Sequence, residues 1–139
     1  MFDKYFDIKQ QIVQVGKRMY ERNYVASNDG NISARVEDDR VVITPTGVSK
    51  GFMKVEDMVE VDMDGNIVGG ALKPSSELQL HLQVYKDRQD VMSVCHAHPL
   101  YATAFAVAGI PLDKFVLPAV IISLGKIPPI EYGTPGTEE

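Results

Sequence analysis

The stretch ISARVEDDRVVITPT, residues 32–46, alternates apolar and polar side chains on both sides of Asp38, Asp39 and Arg40. A period of two belongs to a strand with one face toward a core. Two such runs around a short polar turn read as a β-hairpin. MVEVDMDGNIVGG, residues 58–70, repeats the pattern around an Asp-Gly-Asn turn. Successive hairpins with no helix between them predict a mainly antiparallel sheet.

Helical periodicity lies on either side. Over residues 2–24, Phe6, Ile8, Ile12, Val13, Val15, Met19 and Tyr20 recur at near-helical spacing, and SNDGN at 27–31 breaks the pattern with turn residues. SSELQLHLQVYKDR, residues 75–88, predicts a second helix. Ser75 or Ser76 would cap it, and Leu78, Leu82 and Tyr85 share a face. VMSVCHAH, residues 91–98, reads as a short buried strand, and PLYATAFAVAG, residues 99–109, as a small-residue helix stopped by Gly109. VLPAVIISLG (116–125) and IPPIEY (127–132) read as further strand-like material. The expected fold is an α/β domain, a mainly antiparallel sheet flanked by helices, over residues 1–139. The ending YGTPGTEE carries a helix-start signature, with Thr137 as cap and Glu138 and Glu139 behind it, but no helix follows. It is expected to be the front part of something longer.

Composition narrows the function. With 45% hydrophobic and 24% charged residues, the chain reads as soluble and globular. The formal net charge of −5 gives no global attraction to nucleic acid or an anionic membrane. Cys95 is the single cysteine, so no intrachain disulfide can form and a reducing cytoplasm fits. MFDKYFDIKQ lacks the apolar core of a signal peptide, and FVLPAVIISLG is too short and too Pro/Gly-broken to span a bilayer. A cytoplasmic protein without nucleic-acid or membrane partners is expected.

Of three histidines, two stand one residue apart in VCHAHPL, residues 94–100. Residues i and i+2 on a strand share a face, so His96 and His98 can converge on a divalent cation. The alternative is one core histidine bonded to a carbonyl and one surface histidine. Pro99 ends the strand, which puts the pair at its end. Glu77 and His81 lie four apart on one helix face and could chelate, but His81 is better read as packed or hydrogen-bonded under the helix. KPSSE, residues 73–77, offers two hydroxyls and free N–H groups at a helix start, which suits a phosphate as well as a simple cap. DGNIS (29–33) and TPTGVSKG (44–51) offer similar chemistry through Asn31 and Ser33, and through Thr46, Gly47 and Ser49 with Lys50 beside them. Each alone reads as a turn. Cys95 should face away from the histidines as a small buried hydrophobe. Asp38, Asp39 and Arg40 read as a solvated turn.

In this order and spacing, GNIS, TPTG, KPSSE and HAHP resemble the class II aldolase/adducin family, and YGTPGTEE resembles that family's lead into its next helix. The resemblance runs from about Ile8 to Glu139. It implies a three-layer α/β/α domain around a mainly antiparallel sheet, assembled as a C4 homotetramer with sites between neighbours. It further implies Zn²⁺, or another divalent cation, at His96 and His98. Glu77 would lie at the metal and serve as acid/base group, and Asn31, Thr46, Gly47, Ser75 and Ser76 would hold a substrate phosphate. The chain departs from the family at two points. The third zinc histidine falls beyond the final segment, so metal affinity should drop, and Ile122 stands where an aldolase tyrosine is expected. The activity implied is metal-dependent cleavage of a ketose phosphate to dihydroxyacetone phosphate and an aldehyde. Alternatives are pentulose-phosphate 4-epimerisation, methylthioribulose-phosphate dehydration, and a non-catalytic adducin-like binding module.

Overall fold

Near-helical spacing of Ile12 and Met19 and alternation along the hairpins decide the layers of the molecule. A computed structural model of the chain describes residues 3–114, 118–123, 125, 127, 130 and 133, which fall into two compact units, 1–98 and 99–139. In the first unit, α1 (Phe6–Glu21) precedes β1 (Asn31–Glu37), β2 (Arg40–Ile43), β3 (Val59–Asp62), β4 (Ile67–Gly69), α2 (Leu78–Asp87) and β5 (Ser93–His96). The sheet is antiparallel throughout, in the order β4-β3-β2-β1-β5, with Ser33 opposite both Ile43 and Val94.

Alternation sorts β2 between two cores. Val42 packs with Ile32 against Ile12 and Met19 of α1. Val41 and Ile43 pack with Val59 and Val61 against Leu78, Leu82 and Tyr85 of α2. One helix therefore covers each face, and the unit is an α/β/α sandwich. Each fully buried Val or Leu contributes about 1.5–3 kcal/mol.

The first helix is shorter than residues 2–24. It ends because Asn23 adopts a left-handed φ of 57° and the Tyr24 N–H reaches back to the Met19 carbonyl at 2.9 Å, a Schellman-type closure. Phe6 and Tyr20 lie at its ends and are exposed. The strand expected through Thr46 leaves the ladder after Ile43, since Pro45 cannot donate. The chain there runs antiparallel to a different segment: the Thr46 N–H bonds the Lys73 carbonyl at 3.0 Å and the Ser75 N–H bonds the Thr44 carbonyl at 3.1 Å. Cys95 faces away from His96 as expected, but the residue is exposed rather than buried. It lies on the edge strand β5, with the Met19 sulfur 3.3 Å from its Sγ. That partial burial pushes the thiol pKa up.

The second unit contains α3 (Leu100–Val107), closed by Gly109 at a φ of 67°, and α4 (Pro118–Ser123). Helix α4 replaces part of the strand expected over 116–125. Proline removes a ladder donor from a strand but presets φ for a helix's first turn. An isolated bridge joins Leu112 to Ile127. Most of IPPIEY and YGTPGTEE lies outside the described residues. No helix among the described residues is long and apolar enough to cross a membrane.

Candidate active site

The short antiparallel pairing of Thr44–Thr46 with Lys73–Ser75 sets the TPTG turn against the start of α2. Gly47 takes a left-handed φ of 73° there, with open space where a Cβ would stand. Gly30, at a φ of 71°, turns the chain into β1 so closely that an added Cβ would lie 2.8 Å from the His96 carbonyl oxygen. These turns line a half-open cavity of about 310 Å³ in the first unit. Asn31, Thr46, Gly47, Ser75 and Ser76 all line it, together with Glu77, His98 and Lys50.

The two serines differ. Ser75 is buried, and its Oγ accepts the Glu77 N–H at 3.3 Å, which anchors the turn. Ser76 is exposed. The regular helix begins only at Leu78, without the serine cap at its first position that the sequence suggests. Lys50 is buried to 1% exposure and donates from Nζ to the Val48 carbonyl at 2.7 Å and the Asn28 carbonyl at 3.1 Å, tying together two loops of the cavity. Burial lowers its pKa, opposed by the nearby Asp29 charge.

His96, Glu77 and His98 come together although only His96 lies within β5. The two imidazole centroids are 4.8 Å apart. His96 Nδ1 lies 2.5 Å from Glu77 Oε2, the Asn31 amide donates to the same oxygen, and His98 Nδ1 is 3.9 Å from Asp29 Oδ2. Burial alone would raise the Glu77 pKa, but the hydrogen bonds from Asn31 and His96 outweigh it and hold the carboxyl below its ordinary value. Two imidazole nitrogens and a carboxylate form a donor set whose chemistry suits a divalent cation. Among the described residues, no three of His, Cys, Asp or Glu are gathered tightly enough to enclose one.

His81 does not chelate with Glu77. It is fully buried, with Nε2 2.5 Å from Asn31 Oδ1 and Nδ1 2.6 Å from Ser33 Oγ. Ser33 Oγ in turn lies 2.7 Å from the Tyr85 hydroxyl. Burial and the neighbouring His96 lower the His81 pKa to about 4 against the opposing pull of Glu77, so the ring is neutral at pH 7. The roles of Ser33 and Tyr85 here, and Asp29 beside His98, went unnoticed in the sequence. One signal was present: Glu77, His81 and Tyr85 fall four apart beside Leu78 and Leu82, so the polar groups lie along the helix's buried stripe.

The Class II Aldolase and Adducin N-terminal domain profile matches residues 10–139. L-fuculose phosphate aldolase of Methanocaldococcus jannaschii is 36% identical over 129 residues, covering 93% of this chain and 69% of that protein. The 3-oxo-tetronate 4-phosphate decarboxylase of Haemophilus influenzae is 37% identical over 134 residues, covering 93% of this chain and 63% of that protein. A solved L-fuculose 1-phosphate aldolase matches with a TM-score of 0.86 at 33% identity, covering 99% of this chain and 64% of its own. The chain thus spans roughly two thirds of the length of these relatives.

Proposed function

Because the chain belongs to the family of class II aldolase and adducin N-terminal domains, we propose that it is the phosphate-holding part of a lyase acting beside the carbonyl of a phosphorylated ketose or keto acid. The observation that carries this reading is the position of Glu77. It lies on the wall of the hydroxyl-, amide- and glycine-lined cavity and in contact with His96.

The hydroxyls of Thr46 and Ser76 and the open backbone at Gly47 would hold the phosphate, with the Asn31 amide alongside and Ser75 supporting the turn. Aldol cleavage of a ketose and loss of CO₂ from a 3-oxo acid both leave an electron pair on the carbon next to the carbonyl. The resulting enediolate needs a proton on that carbon. Glu77, held ionised by Asn31 and His96 in the resting site, is placed to take that proton in the condensation direction; in the cleavage direction it would give the enediolate carbon a proton it first takes up, from the substrate hydroxyl in aldol cleavage or from water in decarboxylation. Held by His96, His98 and Glu77, a divalent cation such as Zn²⁺ would supply Lewis-acid polarisation of the carbonyl.

Cleavage of a ketose phosphate to dihydroxyacetone phosphate and an aldehyde is the first reading, supported by the fuculose phosphate aldolase relatives. Decarboxylation of a 3-oxo acid phosphate is the second, supported by the Haemophilus relative. The test is release of dihydroxyacetone phosphate from L-fuculose 1-phosphate and from 3-oxo-tetronate 4-phosphate, after chelation and after Zn²⁺ is restored. Turnover should require the metal, and Glu77→Gln should abolish it while inorganic phosphate still binds. Metal-independent turnover, or turnover retained by Glu77→Gln, would refute the reading. Epimerisation of a pentulose phosphate, dehydration of methylthioribulose phosphate, or binding without turnover would replace it. A homotetramer belongs to the same proposal and is read by light scattering.

A further inference from the structure

We propose that His81 is a positioning residue: as the neutral Nε2–H tautomer it donates to Asn31 Oδ1, and so decides which end of the Asn31 amide faces Glu77 and the cavity. The inference rests on the preceding reading in that the cavity holds a phosphate beside Asn31 and an ionised Glu77.

The argument starts from Glu77. An ionised carboxylate only accepts, so the Asn31 group bonded to Oε2 must be its NH₂. Asn31 Oδ1 then faces His81 Nε2, 2.5 Å away, and an amide oxygen needs a donor there. The proton on Nε2 leaves Nδ1 of the neutral ring as an acceptor. Ser33, 2.6 Å from Nδ1, must therefore donate its single hydroxyl proton to the ring. With that proton committed, Ser33 Oγ accepts from the Tyr85 hydroxyl at 2.7 Å. Fixing one end of the chain fixes every proton in it. His81 and Ser33 are fully buried, and Tyr85 is 1% exposed, so water does not compete for these bonds. The depressed His81 pKa agrees with a neutral ring.

The reverse polarity is internally possible but meets a conflict at its end. A ring protonated on Nδ1 would turn the Asn31 amide over, setting its carbonyl oxygen against the Glu77 carboxylate with no proton between them. It would also turn an acceptor toward the phosphate. In the favoured polarity the Asn31 NH₂ holds Glu77 with one N–H and keeps a second on the cavity wall for an anion. A buried histidine thus sets the polarity of a cavity it does not touch.

Two measurements on this chain test the proposal. The first is the two-bond ¹⁵N–¹H histidine spectrum of the wild type at neutral pH, which should show a protonated Nε2 and an unprotonated Nδ1 for His81. A protonated Nδ1 overturns the proposal. The second compares His81→Gln, whose amide can donate near the Nε2 position, with His81→Asn, whose amide reaches only the Nδ1 position. Inorganic phosphate should bind His81→Gln within a few-fold of wild type. For His81→Asn, binding should weaken at least about tenfold, the scale of one lost charge-assisted hydrogen bond, and the Asn31 side-chain amide signals should shift. Equal phosphate affinity in wild type and His81→Asn overturns the proposal. If His81→Asn does not fold, the wild-type tautomer decides alone. If both results hold and no sugar phosphate is cleaved, the lyase reading falls and this inference stands.

Discussion

Acidification should unfold this protein through His81 in a window that can be stated in advance. The folded pKa of His81 is lowered from 6.5 to about 4, first by burial, then by the nearby His96, with Glu77 pulling the other way. Above pH 6.5 the ring is neutral in both states and its full contribution to stability is present. Below that value the unfolded chain takes up a proton that the folded chain refuses until the pH nears 4. Stability is therefore lost as pH falls from 6.5 toward 4. A difference of roughly 2.5 pKa units at about 1.36 kcal/mol each amounts to about 3 kcal/mol. The assay is urea unfolding of wild type and His81→Gln near pH 7, pH 5.5 and pH 4. Every other titrating group largely cancels in the difference between the two proteins, so the wild type's advantage should shrink by about 3 kcal/mol across the series. A difference constant to within about 0.5 kcal/mol over that range would refute both the burial of a neutral ring and the linkage drawn from it.

Three further outcomes follow from the packing. Leu82→Ala removes a fully buried side chain between α2 and the sheet and should cost about 2–5 kcal/mol by urea midpoint; a loss under about 1 kcal/mol would show that the helix is not packed there. Gly30→Ala combines a φ of 71° with a Cβ 2.8 Å from the His96 carbonyl and 2.5 Å from Val25 Cγ1, so it should destabilise by more than about 1 kcal/mol and shift the His96 resonances, whereas unchanged spectra would contradict the close approach. Ser76→Ala, at an exposed cavity position, should leave the unfolding midpoint unchanged and weaken inorganic phosphate binding several-fold; unaltered binding would remove Ser76 from the cradle.

The layers were legible because they follow from local periodicity. Alternation through Val41, Val42 and Ile43 and the stripes Ile12/Met19 and Leu78/Leu82/Tyr85 specify which faces are apolar, and the two hairpins specify an antiparallel sheet. The failures have local causes as well. Pro118 stands in a run that reads as strand-like, yet proline favours a helix's first turn and begins α4. Cys95 stands in VMSVCHAH, which reads as a buried strand, and nothing in that run shows that β5 lies at the sheet's edge. Asn31 and Ser33 read as part of an anion-binding turn, and nothing local to them shows that α2 covers that face of β1 and brings His81 and Tyr85 to their side chains.

By itself the sequence determined the elements, the apolar faces and the residue types of the candidate site, since these depend on spacings of a few residues that a helix or strand converts directly into direction. Only the tertiary structure decided that Asn31, Glu77 and His96, far apart in the chain, share one carboxylate oxygen, and that His81 stands behind them as a buried neutral ring. Such contacts depend on how β1, β5 and α2 are placed against one another. That placement is set by the packing of both cores together, and no short window of sequence contains it.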